Sequence, residues 1–359
     1  MARVYNFSAG PAALPDEVLD VIREDIPDWG GTGMSVMEVS HRGKEFVELA
    51  RRCEANLRDL LSIPDDYSVL WIQGGATLQM AMAPLNLAGP DNVADYVVTG
   101  SWGKKAAGEA GKFCKVNVSA DGSGEKFTAI QDESSWQQSA DAAYLHITSN
   151  ETIAGVEFHF VPESQSPLVS DMSSTILSRP IDVSNYGVIY AGAQKNIGPA
   201  GITLVIVRNN LLEPARQNLP HLMTWKSYAE SDSMTNTPPT FAWYVADQVF
   251  QYLKRKGGLE AMATINERKS AKLYAAIDDS DFYSNPVHPD CRSWMNIPFL
   301  LADPSLDAKF LDESRAADLT NLKGHRSVGG MRASIYNAVP EQAVDALIEF
   351  MADFERNNG

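Results

Sequence analysis

Short apolar segments alternate with amphipathic segments through roughly the first two thirds of the chain. Each apolar segment has the length of a buried strand, and small or polar turn-forming residues follow it. Residues 45–61, in contrast, place Phe46, Cys53 and Leu57 on one helical stripe. This alternation predicts an α/β fold with a mostly parallel sheet that helices cover on both faces. The predicted strands are residues 69–72, 96–98, 144–147, 168–171, 188–190 and 202–207.

The pattern of the chain changes near residue 260. Two predicted helices, residues 241–254 and 259–277, lead into a region in which strands and helices mix as in α+β folds. We therefore predict a large domain over residues 16–260 and a smaller α+β domain over residues 261–359. The small domain is predicted to contain a strand at 295–300, a helix at 306–319, a strand at 332–336 and a terminal helix from about residue 340.

The composition is that of an ordinary globular protein, since 44% of the 359 residues are hydrophobic and 21% are charged. Lys and Arg number 30 and Asp and Glu number 46, which gives a formal net charge of −16. That charge repels polyanions, so we predict no binding to nucleic acid or to anionic membranes. An anionic ligand would need a local basic site.

The three cysteines, Cys53, Cys114 and Cys291, are widely spaced and odd in number. In a chain of this length they indicate free thiols in a reducing compartment. The N-terminal segment lacks the apolar stretch of a signal peptide, and no segment reaches the roughly 20 apolar residues of a membrane span. We therefore predict a cytoplasmic protein.

Residues 73–77, with the sequence Gln-Gly-Gly-Ala-Thr, join a predicted strand to a predicted helix. Glycines let backbone N–H groups approach an anion, and a helix N-terminus adds partial positive charge. The segment is a candidate phosphate site, although many such turns contain glycine for steric reasons alone. The common nucleotide-binding loops are excluded, because no G-x-G-x-x-G motif is present and no Gly-Lys pair precedes Ser or Thr.

Lys195 follows a predicted strand and lies among the small, turn-forming residues of the run 191–201. A lysine in a glycine-rich turn is often merely solvated. Asp171, however, ends another predicted strand, and adjacent parallel strands end at the same edge of a sheet. We therefore expect this amine and this carboxylate to face one site that suits a planar ligand.

Residues 171–174 and 192–199 together resemble the pyridoxal-phosphate site of the class-V, fold-type I aminotransferases. Further segments resemble the phosphoserine aminotransferase family in particular: residues 6–12, 38–42, 100–102, 150–155 and 323–337. The similarity extends from residue 3 almost to the end of the chain. It implies a fold-type I architecture in which an N-terminal segment, residues 1–15, contributes to the active site.

The resemblance implies that pyridoxal 5′-phosphate is the cofactor and assigns residues to it. Lys195 would bond covalently to the cofactor aldehyde and then carry a proton during transamination. Asp171 would pair with the pyridine nitrogen, and Trp102 would stack on the ring unless it is simply a core residue. Further cofactor contacts are implied for Ala76, Thr77, Thr152, Gln194, Asn236 and Thr237.

Two features bear on how complete the implied cofactor site is. Many relatives carry an arginine where this chain has Thr77, so neutral donors and the helix dipole would hold the phosphate here. In the family, the residues matching Asn236 and Thr237 are usually donated by a neighbouring subunit. The resemblance therefore implies a homodimer with shared active sites.

Substrate recognition has to hold two anionic groups in a protein of negative net charge. The resemblance implies that Arg332 clamps the α-carboxylate, which suits a planar guanidinium. His41 with Arg42, and His325 with Arg326, would surround the distal anion, and Ser8 would lie near the substrate carboxylate. Each residue alone could be a solvated surface group, but two His-Arg pairs among only 6 histidines favour a shared function.

The activity implied by the resemblance is transamination between 3-phosphooxypyruvate with glutamate and O-phospho-L-serine with 2-oxoglutarate. This reaction belongs to serine biosynthesis. The phosphorylated hydroxythreonine intermediate of pyridoxine biosynthesis is a second candidate substrate in bacterial relatives.

Three other functions agree less well with the residues of this chain. A cysteine desulfurase needs a nucleophilic cysteine on a mobile loop, and none lies between Arg326 and Arg332. A serine- or alanine-glyoxylate aminotransferase would not need two His-Arg pairs for an uncharged side chain. A non-catalytic binding protein would have no physical reason to keep Lys195 together with Asp171. The remaining histidines show no metal-ligand spacing, so no metal site is predicted.

Overall fold

The computed structural model describes residues 3–359. The helices are α1 (Asp16–Asp25), α2 (Lys44–Leu61), α3 (Ala76–Leu87), α4 (Ser101–Ala110), α5 (Trp225–Ala229), α6 (Thr240–Arg255), α7 (Gly258–Asp278), α8 (Asp307–Ala316) and α9 (Glu341–Asn358). The strands are β1 (Tyr5–Asn6), β2 (Tyr67–Gln73), β3 (Val93–Val98), β4 (Lys115–Asp121), β5 (Leu145–Thr148), β6 (Asn150–Glu151), β7 (Val156–Glu157), β8 (Leu168–Asp171), β9 (Val188–Gly192), β10 (Ile202–Arg208), β11 (Tyr283–Ser284), β12 (Asn296–Leu301), β13 (Leu319–Thr320) and β14 (Met331–Ser334). None of the helices within residues 3–359 combines the length and apolar character that a membrane crossing requires.

The central sheet has 7 strands in the spatial order β2-β10-β9-β8-β5-β3-β4. Its neighbouring strands are parallel except that β10 runs antiparallel to both β2 and β9. A parallel partner for β9 would need a crossover of about a dozen residues. The connection from Gly192 to Ile202 is a short turn, so β10 returns antiparallel. The predicted α/β fold with a mostly parallel sheet is confirmed.

Helices cover both faces of this sheet. On β3, Val97 packs in an apolar cluster with α2 and α6, whereas Tyr96 and Val98 pack with α3 and α4. Successive residues of a strand point to opposite faces, so β3 is buried on both sides. Burial on both faces explains why the central strands are continuously apolar rather than alternating.

The C-terminal region has a second apolar core around the antiparallel strands β11, β12 and β14. Helix α7 contributes Leu259 and Met262 to the core of the central sheet, and Leu273 and Ile277 to the second core. The predicted boundary between residues 260 and 261 therefore falls inside a helix that spans both cores. The division of the chain into domains stays a prediction.

Several elements of the structure differ from the expectation based on sequence, among them α8 and β4. The helix predicted over residues 306–319 ends at Ala316, because Asp318 adopts a φ of 62° that an α-helix cannot continue. Residues 319 and 320 instead form β13, which pairs in parallel with β1. Strand β4 was not predicted, since its residues alternate between polar and apolar as suits a sheet edge.

Candidate active site

A cavity of about 650 Å³ lies where the central strands end. Thr148, Asp171 and Gly192, the last residues of β5, β8 and β9, line it. Open α/β sheets bind their ligands at this edge. The predicted site residues that line the cavity are Ala76, Thr77, Trp102, Thr152, Asp171, Gln194, Lys195, His325 and Arg332.

The predicted substrate residues of the N-terminal part do not line this cavity. Ser8 lies next to it, because its neighbours Ala9 and Gly10 form part of the wall. His41 and Arg42 are in the turn before α2, where Arg42 Nε donates to His41 Nε2 at 3.4 Å. The structure thus separates this His-Arg pair from the cavity of its own chain.

Three further predicted residues also lie outside the cavity lining. Arg326 is exposed to solvent next to His325, which does line the cavity. Asn236 and Thr237 precede α6. Asn236 Nδ2 donates to Gln73 Oε1 at 2.8 Å, at the end of β2. That a neighbouring subunit supplies Asn236 and Thr237 to a complete active site stays a prediction.

Lys195 is buried in the turn that follows β9. Its Nζ donates a hydrogen bond to Thr152 Oγ1 at 2.6 Å. Burial lowers the pKa of Lys195 to about 8, against the opposing negative charge of Asp171. The lowered pKa favours the uncharged amine, which is the form that acts as a nucleophile.

Asp171 ends β8 with its carboxylate buried. Its Oδ1 accepts from Ser173 N at 2.9 Å and from Ser173 Oγ at 2.6 Å, and Ser173 Oγ accepts from Gly192 N at 3.0 Å. Burial raises the pKa of Asp171, while the hydrogen bonds from Ser173 and the charge of Lys195 oppose this. Within residues 3–359, Oδ2 accepts no hydrogen bond and is available to a ligand N–H group.

Trp102 lies in the first turn of α4, and a buried carboxylate from β6 fixes its backbone. Glu151 Oε2 accepts from Trp102 N at 2.9 Å, and Glu151 Oε1 accepts from Gly103 N at 2.7 Å. No side chain at the N-cap of α4 performs this function, so Glu151 satisfies the free N–H groups of the helix. The contact requires glycine at position 100, because a Cβ on Gly100 would lie 2.3 Å from Glu151 Cδ.

The charge of Glu151 is held at the positive end of the α4 dipole. Burial nevertheless raises the pKa of Glu151 to about 7, although the N–H groups of Gly103 and Trp102 stabilise its charged form. Glu151 lies directly before Thr152, the residue that accepts the hydrogen bond from Lys195. Two adjacent residues, Glu151 and Thr152, therefore connect the backbone of Trp102 to the amine of Lys195.

The turn after β2 presents free backbone N–H groups to the cavity. Gly74 has a φ of 104°, a left-handed conformation that favours glycine, and α3 begins at Ala76 without a side-chain cap. Gly192 approaches so closely that a Cβ there would lie 3.2 Å from Ala76 N. The turn has the features of an anion site at a helix N-terminus, as the sequence predicted.

Arg332 enters the cavity from β14 in the C-terminal region. Its Nη1 donates to Thr152 O at 3.1 Å, so Thr152 contacts both Arg332 and Lys195. Burial lowers the pKa of Arg332, but a guanidinium remains charged at any pH relevant to the protein. His325 Nδ1 lies 2.7 Å from Ser327 Oγ, in the loop that precedes β14. Two basic side chains of the C-terminal region thus face the same cavity as Lys195.

Comparison with known proteins assigns this site to a family. The profile of the family "Aminotransferase class-V" matches residues 4–347. The phosphoserine aminotransferase of Hahella chejuensis (strain KCTC 2396) is 57% identical over 357 residues, which are 99% of this chain and 99% of that protein. The chain belongs to the phosphoserine aminotransferase family of the class-V aminotransferases. It is an enzyme of the aminotransferase class.

Solved structures of phosphoserine aminotransferases share the fold over the whole chain. The enzyme from Bacillus circulans subsp. alkalophilus has a TM-score of 0.97 and 45% sequence identity, and it covers 99% of this chain and 99% of its own. A PLP-bound phosphoserine aminotransferase from Trichomonas vaginalis has a TM-score of 0.94 and 42% identity, covering 98% of this chain and 100% of its own. The predicted fold-type I architecture is confirmed.

Membership of the phosphoserine aminotransferase family agrees with the positions of the cysteines. Cys53, Cys114 and Cys291 are all buried free thiols, and none of them lines the cavity. Burial raises the pKa of each of these thiols. The thiolate that a desulfurase would need therefore has no source in the described cavity wall.

Sequence analysis missed the function of Glu151. The residue lies inside a segment that resembles the family, but its partners Trp102 and Gly103 are far away in the chain. Sequence analysis also assigned no role to Ser173, which orients Asp171. The only local signal was a charged residue beside Thr152 in a mostly uncharged segment, and that signal does not name a partner.

Proposed function

We propose that this enzyme interconverts O-phospho-L-serine plus 2-oxoglutarate with 3-phosphooxypyruvate plus glutamate, using PLP as its cofactor. The observation that carries the proposal is the presence of Lys195, Asp171, Trp102 and Arg332 around one cavity. The relatives described above are named phosphoserine aminotransferases, which supports the choice of substrate. Such an enzyme acts in serine biosynthesis, and we place it in the cytoplasm.

The residues of the cavity fit a phosphorylated pyridine ring. Trp102 offers a flat apolar face, and Asp171 Oδ2 is free to accept from a ring N–H group. The turn at residues 74–77 offers backbone donors to a phosphate. Trp102 Nε1, Thr148 Oγ1 and Asn150 Oδ1 are buried without hydrogen-bond partners among residues 3–359. Buried polar atoms are normally bonded, so these three mark places where a ligand or ordered water completes the site.

Lys195 acts as the proton carrier at the substrate Cα. PLP, when bound, supplies the electron sink that accepts the charge left on Cα after proton loss. The pKa of the Lys195 amine, about 8, is close to neutral pH, so the amine can both take up this proton and return it. Thr152 Oγ1, 2.6 Å from Nζ, orients the amine.

Asp171 would accept a hydrogen bond from the ring N–H group of bound PLP and so favour its protonated form. Its buried carboxylate is held in one orientation by the two donors of Ser173, so it needs little reorganisation when the ring carries positive charge. The link from Ser173 Oγ to Gly192 N aligns Asp171 with the strand that leads to Lys195.

Arg332 holds the α-carboxylate of the substrate beside Lys195. Its guanidinium is anchored by one N–H group on Thr152 O, which leaves further donors for a carboxylate. His325 lines the same cavity and is proposed to face the distal anion, either phosphate or γ-carboxylate. Ser8, beside the wall residues Ala9 and Gly10, is proposed to lie near the substrate carboxylate.

A homodimer with shared active sites is part of the proposal. His41, Arg42, Arg326, Asn236 and Thr237 lie outside the cavity lining of their own chain. We propose that the pair Asn236 and Thr237 completes the phosphate site of a partner subunit. The exposed His-Arg side chains are proposed to complete the pocket for the distal anion, in the partner's cavity or in their own after rearrangement.

The test of the proposed function is the choice of amino donor. The enzyme is assayed with 2-oxoglutarate and with phosphoserine, alanine or cysteine at equal concentrations. We expect kcat/KM for phosphoserine to exceed that for alanine at least about 100-fold, because basic groups left without an anionic partner in the pocket penalise an uncharged donor. Turnover of alanine at a rate equal to that of phosphoserine would contradict the proposal. A further arm with phosphorylated hydroxythreonine determines whether the enzyme has a second substrate.

A further inference from the structure

The phosphate end of the cavity lacks a basic side chain in its wall. The basic residues that line the cavity are Lys195, His325 and Arg332. Lys195 and Arg332 both bond to Thr152 rather than to the turn at residues 74–77. A phosphate monoester carries roughly −1.5 to −2 charges at neutral pH. Backbone N–H groups and neutral side chains would have to hold this charge in a protein whose net charge is −16.

Lys105 is the cation that the structure places beside this turn. Its Nζ donates to Thr77 Oγ1 at 3.2 Å. Lys105 lies one helical turn after Trp102 on α4, and its Nζ is 5.3 Å from the centre of the Trp102 ring. No carboxylate of residues 3–359 forms a salt bridge with it. One exposed lysine thus contacts both the phosphate turn and the aromatic wall.

We propose that Lys105 is a phosphate-binding residue for the cofactor. This inference rests on the proposed function, since it assumes that the cavity binds PLP. Lys105 brings a positive charge to the turn at Thr77, one of its exposed residues. Because Nζ donates to the Thr77 oxygen, the hydroxyl proton of Thr77 points away from Lys105 and is free to donate to a phosphate oxygen.

The expected size of the effect is modest because Lys105 is exposed. Water and salt screen an exposed charge, so its loss weakens binding far less than the loss of a buried one. We expect Lys105→Gln to weaken PLP binding about tenfold, which corresponds to about 1.4 kcal/mol. The effect must depend on the phosphate group of the ligand.

The experiment compares PLP with pyridoxal, which has the same aldehyde ring without phosphate. The full-length protein is stripped of cofactor, and each aldehyde is titrated while absorbance is recorded. Lys105→Gln is expected to raise the Kd of PLP about tenfold and to leave the Kd of pyridoxal unchanged. Lys105→Arg is expected to keep the affinity for PLP. The defect of Lys105→Gln should also shrink at high salt.

The matched control is Lys104→Gln, the neighbouring exposed lysine on the same helix. It changes the net charge by the same amount, and we expect it to leave both Kd values unchanged. Equal weakening of PLP and pyridoxal in Lys105→Gln would overturn the inference, because Lys105 would then act through Trp102. Unchanged PLP binding in Lys105→Gln would overturn it as well. If the wild-type protein bound neither aldehyde, the proposed function would fail together with this inference.

Discussion

Two buried lysines of this enzyme have lowered pKa values but different surroundings. Burial lowers the pKa of Lys195 to about 8 and that of Lys269 to about 7. Lys269 Nζ donates to three backbone carbonyl groups within the segment 335–339, each at 3.0 Å. Lys195 donates to Thr152 and lines the cavity. Position rather than pKa therefore favours Lys195 over Lys269 as the proposed cofactor-binding amine.

At the residue scale, the first prediction concerns Asp171, the proposed partner of the ring nitrogen. Asp171→Asn keeps the size of the side chain but removes its charge, so the ring nitrogen would lose its proton partner. We expect kcat for phosphoserine to fall roughly 100- to 1000-fold while PLP stays bound. Stopped-flow or steady-state kinetics measures the change.

The control for this substitution is Ser173→Ala. It leaves the Asp171 charge in place and removes only the orienting hydroxyl, whose oxygen is 2.6 Å from Oδ1. We expect a smaller fall in kcat, about tenfold. An Asp171→Asn enzyme with wild-type kcat would contradict the function given to this residue.

At the element scale, Glu151 couples the stability of helix α4 to pH. Burial raises the pKa of Glu151 to about 7 in the folded protein, from an ordinary value of 4.5. Between these pH values the folded chain binds the proton more tightly than the unfolded chain. The contribution of Glu151 to stability is therefore fully present below pH 4.5 and is lost as the pH rises through 7.

The corresponding prediction uses Glu151→Gln. The free energy of unfolding of the wild type relative to this variant should be larger at pH 5 than at pH 8, since only the wild type titrates here. Urea unfolding at both pH values measures the two differences. An exposed control, Glu163→Gln, should show nearly the same difference at both pH values. A difference that grows from pH 5 to pH 8 would contradict the account of Glu151.

A second element-scale prediction concerns the attachment of β14, which carries Arg332. Lys269 on α7 bonds to the carbonyl groups that follow this strand. Lys269→Met leaves these carbonyls without their donor, and we expect the free energy of unfolding to fall by about 2–4 kcal/mol. The control Lys272→Met, on the same helix, removes exposed salt bridges with Glu341 and Asp345 and should cost less than about 1 kcal/mol. Equal effects of the two substitutions would contradict the importance of the buried contact.

The sequence predicted elements well where a single physical pattern decided them. Continuous apolar runs identified strands that are buried on both faces, such as β9. The end of α8 was not predictable in the same way, because the left-handed conformation of Asp318 depends on the pairing of β13 with β1. Strand β4 was missed because an edge strand carries no continuous apolar run.

The site was predictable to the extent that its residues follow strands or lie in segments that resemble the family. Lys195 and Asp171 stand at strand ends, which a parallel sheet brings to one edge. The contacts of Glu151 with α4 and of Lys105 with Thr77 join distant segments, and no local pattern encodes them. Those residues required the three-dimensional arrangement.

At the scale of the whole molecule, the proposed homodimer predicts complementation between two inactive variants. Lys195→Ala lacks the reactive amine, and a double variant, Asn236→Ala with Thr237→Ala, lacks the proposed contribution to the partner's phosphate site. In a mixed dimer, one of the two cavities contains Lys195 from one chain and Asn236 with Thr237 from the other. Refolding the two variants together should restore about a quarter of wild-type activity if chains pair at random.

The outcome shows whether Asn236 and Thr237 serve the cavity of their own chain or that of the partner subunit. In the structure, Asn236 donates to Gln73 of its own chain, close to its own phosphate turn. If Asn236 and Thr237 served the cavity of their own chain, no mixed dimer would contain an intact site, and mixing would restore no activity. Each variant refolded alone is the control for background activity.

The most direct test of the account identifies the lysine that bonds to the cofactor. The holoenzyme is treated with borohydride to make the bond between the cofactor and the amine permanent, then digested and analysed by peptide mass spectrometry. We predict that the added cofactor mass lies on Lys195 and that Lys195→Ala yields no labelled peptide. Cofactor mass on Lys269, the other buried lysine of lowered pKa, or on any lysine besides Lys195 would contradict the account.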